Sequence, residues 1–320
     1  MRPFFRHRQD IMTDLMSEKH LSNFQLYAIF ESGETSNPLD EVVLLTSQIC
    51  PEVDLQILYT AHRDVTDIFS GEYPGFKASI AKYHNLRHTY SVVLATVRLF
   101  HGLYHEQKKV SDELVLQGLL SAYFHDLGML PQSSAEVLDA TDYTRHHEQR
   151  SIAILESYVK KNKLSLEYIE NCATIIHYTN LDWQEELCSR TNSELELCGQ
   201  IVGSADLLAQ MADRYYLESL PFLFQEHKES GIDKHSSALD LMRGTIEFHE
   251  KIIKKRLEET LGNLAPSMKT HFSQRWNIDK NLYLENINLN LEYLKMITED
   301  CSLDLSCWGK YLRRTPPTIL

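Results

Sequence analysis

Ser111-Asp112-Glu113-Leu114-Val115-Leu116-Gln117-Gly118-Leu119-Leu120-Ser121-Ala122-Tyr123-Phe124-His125-Asp126-Leu127-Gly128 is the stretch on which the fold turns. Its apolar residues Leu114, Leu116, Leu119, Leu120, Ala122 and Phe124 predict a buried helix. Ser111 stands where an N-cap belongs, and Asp112 and Glu113 fall in the first turn, where carboxylates suit the helix dipole. Gly128 and Pro131 are expected to stop the helix. The element therefore delivers two ionisable neighbours, His125 and Asp126, to the end of an apolar segment. Burial there is costly unless the groups are paired or bound to a metal. A satisfied structural pair is the plain reading of the dipeptide alone; a metal-binding pair is the functional one.

The pattern continues outward. From His88 to His105, residues Val92, Val93, Ala95, Thr96, Leu99, Phe100 and Leu103 recur at three- and four-residue spacing, which predicts a helix with one buried stripe. Further helices are expected from His147 through Val159, from a cap at Ser165 to His177, from about Glu194 to Tyr216, and over 236–262 and 280–299. Pro131 to Thr144 reads as a loop at the mouth of a site. Gly71-Glu72-Tyr73-Pro74-Gly75 is the clearest turn cluster. The fold class expected is all-α. It divides into an N-terminal helical segment (1–74), a core (75–230) and a motif-free C-terminal extension (231–320) that packs on the core or supplies a homodimer contact.

Composition narrows the function. The chain has 320 residues, 43% of them hydrophobic, with 12 glycines and 9 prolines, a balance that favours helix. A net charge of −13 argues against a nucleic-acid partner, which calls for a basic face. No segment approaches the roughly 20 apolar residues of a membrane helix, and the N-terminus lacks the apolar run of a secretory signal. None of the six cysteines forms a C-x-x-C pair, so reduced thiols and a cytoplasmic location are expected.

Histidines and carboxylates recur in order along this helical chain. His84 and His88 lie four apart, so a helix beginning near His84 would place both on one face. Two such histidines can share a metal, or one can ligate while the other handles protons; the alternative is a polar helix start. His146 and His147 are adjacent, and His147 is preferred as a ligand because it leads into the apolar stripe. His177 closes a helix after Ile175 and Ile176, where a structural histidine competes with a ligand. Asp206 sits among Ala205, Leu207 and Leu208, a setting in which a lone carboxylate calls for a cation. Gln210 and Asp213 share its face, and Gln210 is a candidate for substrate binding, against a role in holding a loop. Arg87, Arg145, Arg150 and Arg214 can each hold a phosphate but are individually expected in ion pairs or at the surface. Trp183 is a candidate pocket wall, with core packing the default.

The order His88, His125-Asp126, Asp206 resembles the HD superfamily of metal-dependent phosphohydrolases. Tyr83-His84-Asn85-Leu86-Arg87-His88 is similar to the opening YHNxxH motif of class I cyclic-nucleotide phosphodiesterases. The resemblance covers residues 80 to 215 and implies an HD-domain helical bundle with N- and C-terminal extensions. It implies one or two divalent metal ions, with Mg, Mn, Zn, Fe and Ni not distinguished. His88, His125, Asp126 and Asp206 would hold the first, Asp126 bridging, while His147 and His177 complete a second site. His84 would be the general acid. The reaction implied is hydrolysis of a small phosphorylated substrate, a phosphodiester of nucleotide type, by water activated at the metal. The phosphodiesterases continue as HDxxHPG, whereas here His125-Asp126 is followed by Leu127-Gly128-Met129-Leu130. That form is nearer bacterial HD phosphohydrolases, including HD-GYP enzymes, although Tyr178-Thr179-Asn180 stands after His177 in place of a GYP signature. Two other readings keep the fold: a di-iron oxygenase, and a non-catalytic nucleotide-binding regulator.

Overall fold

The computed structural model describes residues 26, 29–30, 38–132, 146–181, 193–232, 234–301 and 305–313. The expected loop from Pro131 to Thr144 lies outside the described residues after Gln132, as do Arg145 and Trp183. Twelve α-helices account for the described chain: α1 (Pro38–Ile49), α2 (Gln56–Ser70), α3 (Leu86–His105), α4 (Asp112–Phe124), α5 (His147–Lys161), α6 (Glu167–His177), α7 (Ser193–Ala212), α8 (Tyr216–Glu229), α9 (Ala238–Phe248), α10 (Ser267–Trp276), α11 (Leu282–Cys301) and α12 (Leu305–Tyr311). A 3-10 turn covers Leu127–Met129, and π-helical turns cover His249–Ile253 and Arg256–Thr260. The all-α class holds. Extended pairing among the described residues is confined to one isolated antiparallel bridge between Phe76 and Gln132.

α3 is the axis of the molecule, packed against α1, α4, α7 and α10. Every residue from Val92 to Leu103 is buried, so this is a central helix enclosed on all sides and not the one-stripe helix its spacing predicts. The reason is in the sequence between the stripe positions. Leu94, Val97 and Gly102 are also small or apolar, and a helix apolar all round belongs inside. α4 is likewise buried from Leu114 to Phe124. The buried apolar residues form one cluster from Ile29 to Trp308, and it crosses positions 74 and 230 without a break.

Helix ends depart from expectation where side chains intervene. α3 begins at Leu86 because the Asn85 side chain caps it, accepting the His88 N–H at 3.1 Å. His84 therefore precedes the helix. The helix expected to reach Tyr216 stops at Ala212. There Asn290 of α11 donates to the carbonyls of Met211 (2.8 Å) and Asp213 (2.9 Å), and Asp213 Oδ1 accepts the Tyr215 N–H at 2.8 Å. Bonds from outside satisfy the terminal carbonyls and end the ladder. α4 closes at Phe124, ahead of Gly128, and the Ser111 hydroxyl makes no cap bond although the residue stands at the cap position. The segment 236–262 is α-helical only to Phe248 before its π turns. α8 and α10 lie where no helix was expected.

One expectation is overturned outright. Cys301 and Cys307 form a disulfide, with Cα atoms 5.4 Å apart, whereas the spacing of the cysteines suggested only reduced thiols. α12 folds back beside the end of α11 and brings two cysteines six residues apart within bridging distance, a proximity no C-x-x-C search detects. Cys50, Cys172 and Cys198 are free and buried. No helix of the described residues is long and apolar enough to cross a membrane.

Candidate metal centre

Three chain segments meet at one point. His88 comes from the first turn of α3, His125 and Asp126 from the two residues that follow α4, and Asp206 from α7. Single ligand atoms of His88, His125 and Asp206 lie within 4.8 Å of one another. His88 Nε2 is 3.2 Å from Asp206 Oδ1 and 3.3 Å from Asp126 Oδ2, and His125 Nε2 is 3.1 Å from Asp126 Oδ2 and 3.8 Å from Asp206 Oδ1. Ligand atoms that share one first-row cation at about 2.1 Å stand about 3–3.5 Å apart. The packing of α3 on α4 and α7 thus produces the spacing of a coordination sphere.

The chemistry of the donors fits a cation. His125 is fully enclosed, and its Nδ1 donates to the Ala122 carbonyl at 2.9 Å. That bond fixes the tautomer and aims Nε2 at the carboxylates. Nε2 is buried and makes no aligned hydrogen bond of its own despite its nearness to Asp126. A buried, oriented and unsatisfied imidazole nitrogen facing two carboxylates is a ligand set for a divalent ion. The electrostatics agree. Burial alone would lower the pKa of both histidines, but hydrogen bonds to Asp126 and Asp206 and their charge raise His88 to about 10, and the nearby charge of Asp126 and then Asp206 raises His125 in the same direction. Burial would likewise raise Asp126, yet the charge of His125 holds its carboxyl well below the usual range. The carboxylates demand positive charge at this point, and binding a metal would release the protons that otherwise supply it.

The remaining sequence candidates take different positions. His147 opens α5 half-buried, its Nε2 4.0 Å from Asp126 Oδ1 and 3.6 Å from Glu148 Oε1, at the edge of the cluster. Its neighbour His146 is exposed. His177 is half-buried at the end of α6 and is not among the converging ligand atoms. Gln210, one turn after Asp206, lines a small cleft with Tyr83, His88, Asp213 and Tyr216. The Tyr83 hydroxyl there is buried without a hydrogen-bond partner. Of the arginines, Arg87 forms a two-point pair with Asp213 (3.1 and 3.3 Å), Arg150 donates to the Leu130 carbonyl at 3.0 Å, and Arg214 lies over the Tyr215 ring.

His84 has a partner that no sequence pattern indicated. Its Nδ1 lies 2.7 Å from Glu226 Oε2 of α8, and the other oxygen of Glu226 accepts the backbone N–H groups of Lys82 (3.2 Å) and Tyr83 (2.9 Å). The carboxylate thereby ties the whole pre-helical segment. Burial would lower the His84 pKa, but the hydrogen bond to Glu226 and the charge of Asp126 raise it, while Glu226 is lowered in return by the same bond. The bond to Glu226 orients His84 beside His88, their ring centroids 6.0 Å apart.

Gly128 explains the glycine that follows the His-Asp pair. A Cβ at this position would collide with the His147 carbonyl oxygen, so only glycine lets α5 approach the turn after Asp126. The contact is pinned by Ser151, whose hydroxyl donates to the His125 carbonyl (2.6 Å) and accepts the Gly128 N–H (2.8 Å).

Compared with protein-family models, curated proteins and solved structures, the chain has no significant match.

Proposed function

We propose that this protein is a metal-dependent phosphohydrolase of the HD type, acting on a phosphodiester of nucleotide character. The observation that carries the reading is the convergence of His88, His125 and Asp206 beside a His84 held separately by Glu226. His88, His125, Asp126 and Asp206 would hold a divalent ion, with His147 at the margin. Such an ion supplies a water of lowered pKa and neutralises phosphate oxygens. The side chains do the rest. His125, its Nδ1 committed to Ala122, keeps its other nitrogen in place without reorganisation. Glu226 holds His84 by Nδ1, which leaves Nε2 to carry the proton for a departing ester oxygen. Gln210 on the neighbouring turn offers a neutral amide to substrate.

Metal analysis combined with a turnover panel tests the reading. The panel comprises an aryl phosphodiester, cyclic mononucleotides, cyclic dinucleotides, and nucleoside mono- and triphosphates. Asp126→Ala is expected to lose metal and activity together. Full activity in that variant would end the assignment.

A further inference from the structure

A second cleft has His84 in its lining and shares none of the residues that line the Gln210 cleft. It encloses about 440 Å³, within the rough range of 300–1,000 Å³ common to small-molecule sites. Ile80, Met129, Leu130, Pro131 and Phe222 form its walls, and His84 and Glu226 form one end. Ile80 is 89% exposed, an apolar side chain left open at the rim. Phe222 is half-buried on α8, one turn before Glu226, and carries Lys82 Nζ 5.0 Å over its ring.

The charges around this cleft are balanced. His84 and Glu226 satisfy one another, the remaining charged lining residues are one cation, Lys82, and one carboxylate, Glu229, and no arginine lines the cleft among the described residues. A phosphate in the cleft would need several converging donors and would instead face two carboxylates. An aryl or alkyl group meets what is there: aliphatic walls and an aromatic face.

We infer that this cleft receives the leaving group of the substrate, and that this leaving group is an uncharged aryl or alkyl alcohol and not one bearing a further phosphate. The inference rests on the phosphohydrolase reading, because it places the departing oxygen at His84. In the reaction, a water oxygen bonds to phosphorus and the ester P–O bond breaks with its electron pair on the alcohol oxygen. His84 Nε2 gives its proton to that oxygen, and the proton lost by the water restores His84. The products are a neutral alcohol, lodged between Phe222 and Met129, and a phosphate monoester that keeps the second ester group.

The test compares two phosphodiesters, one releasing 4-nitrophenol and one releasing the same phenol with an added ring carboxylate, on the Mn²⁺-loaded protein. The uncharged ester is expected to have about tenfold or greater advantage in kcat/KM, the size of one good apolar contact. Phe222→Ala should erase most of that advantage by slowing only the uncharged ester. Glu229→Lys, an exposed change that leaves folding intact, should narrow it by speeding the charged one. Equal rates on both esters, or equal effects of the variants on both, would overturn the inference. If neither ester is cleaved with Mn²⁺ or with any other divalent ion, the phosphohydrolase reading fails, and calorimetry on the metal-free chain decides the cleft separately. Binding of free 4-nitrophenol that is lost in Phe222→Ala, with no binding of its carboxylated analogue, supports an uncharged ligand. Absence of binding, or equal binding of both phenols, rejects it.

Discussion

Glu226 reaches across 142 positions of sequence to place a carboxylate oxygen 2.7 Å from Nδ1 of His84. Replacing it by glutamine keeps a hydrogen-bonding group and removes the charge that raises the His84 pKa. Glu226→Gln is expected to lower kcat by about tenfold to a hundredfold, within the range of general-acid contributions. Bound metal should remain at the wild-type ratio. Loss of metal from this variant would make Glu226 part of the coordination shell and not the partner of the acid.

A ligand that binds only the folded chain raises its melting temperature. Saturating Mn²⁺ or Zn²⁺, at a hundredfold above the dissociation constant, should stabilise the protein by about 2.7 kcal/mol, and a chelator should reverse the gain. His125→Ala and Asp206→Asn should abolish the shift. A melting temperature indifferent to every divalent ion tried would remove the metal centre.

Acid sensitivity should come from the buried end of α3, far from the metal ligands. His101 and His271 face each other there, with Nδ1 atoms 3.4 Å apart and with His105, Arg98 and Arg275 close by. Burial, followed by the neighbouring histidines and arginines, lowers His101 from 6.5 to about 4 and holds His271 well below 6.5. In the unfolded chain both titrate near roughly 6.5. As pH falls below that value the unfolded state takes up protons that the folded state refuses. The stability from these groups is thus complete above pH 6.5 and declines steadily toward pH 4. Thermal melts between pH 7.5 and 4.5 should show the decline, and His271→Phe should flatten it. An unchanged slope in the variant would assign the acid sensitivity elsewhere.

Gly128→Ala forces a methyl group against the His147 carbonyl, where α5 cannot yield without breaking the Ser151 bonds to the His125 carbonyl and the Gly128 N–H. The expected cost is about 2 kcal/mol or more, in the range of overpacked cores. Denaturant titration measures it. A neutral substitution would show that the turn after Asp126 tolerates displacement.

The sequence made the metal cluster legible because its members announce themselves locally. His125 and Asp126 end an apolar run, and Asp206 interrupts another. The burial of α3 was harder to read, because Arg98 and His101 make its sequence look one-sided. Arg98 is nonetheless enclosed, its two terminal nitrogens donating to the carbonyls of Ile29 and Phe30 and the hydroxyl of Tyr283. Glu226 left no trace at all. A carboxylate on an unforeseen helix becomes meaningful only when packing brings it to His84, and no spacing rule spans such a distance. Asn290 is the same case: a polar residue on α11 that ends α7 from outside.

The Asn85 cap has a consequence for how such a protein can change. It sets a boundary between two histidines four residues apart. His88 is carried rigidly by the central helix, while His84 belongs to a strap whose position is dictated by α8. On the proposed reading, holding the ion and delivering the proton are separately mutable. Substitutions in α8 would then silence turnover and leave a competent binding site behind, so a descendant of such an enzyme could become a receptor for its ancestor's substrate.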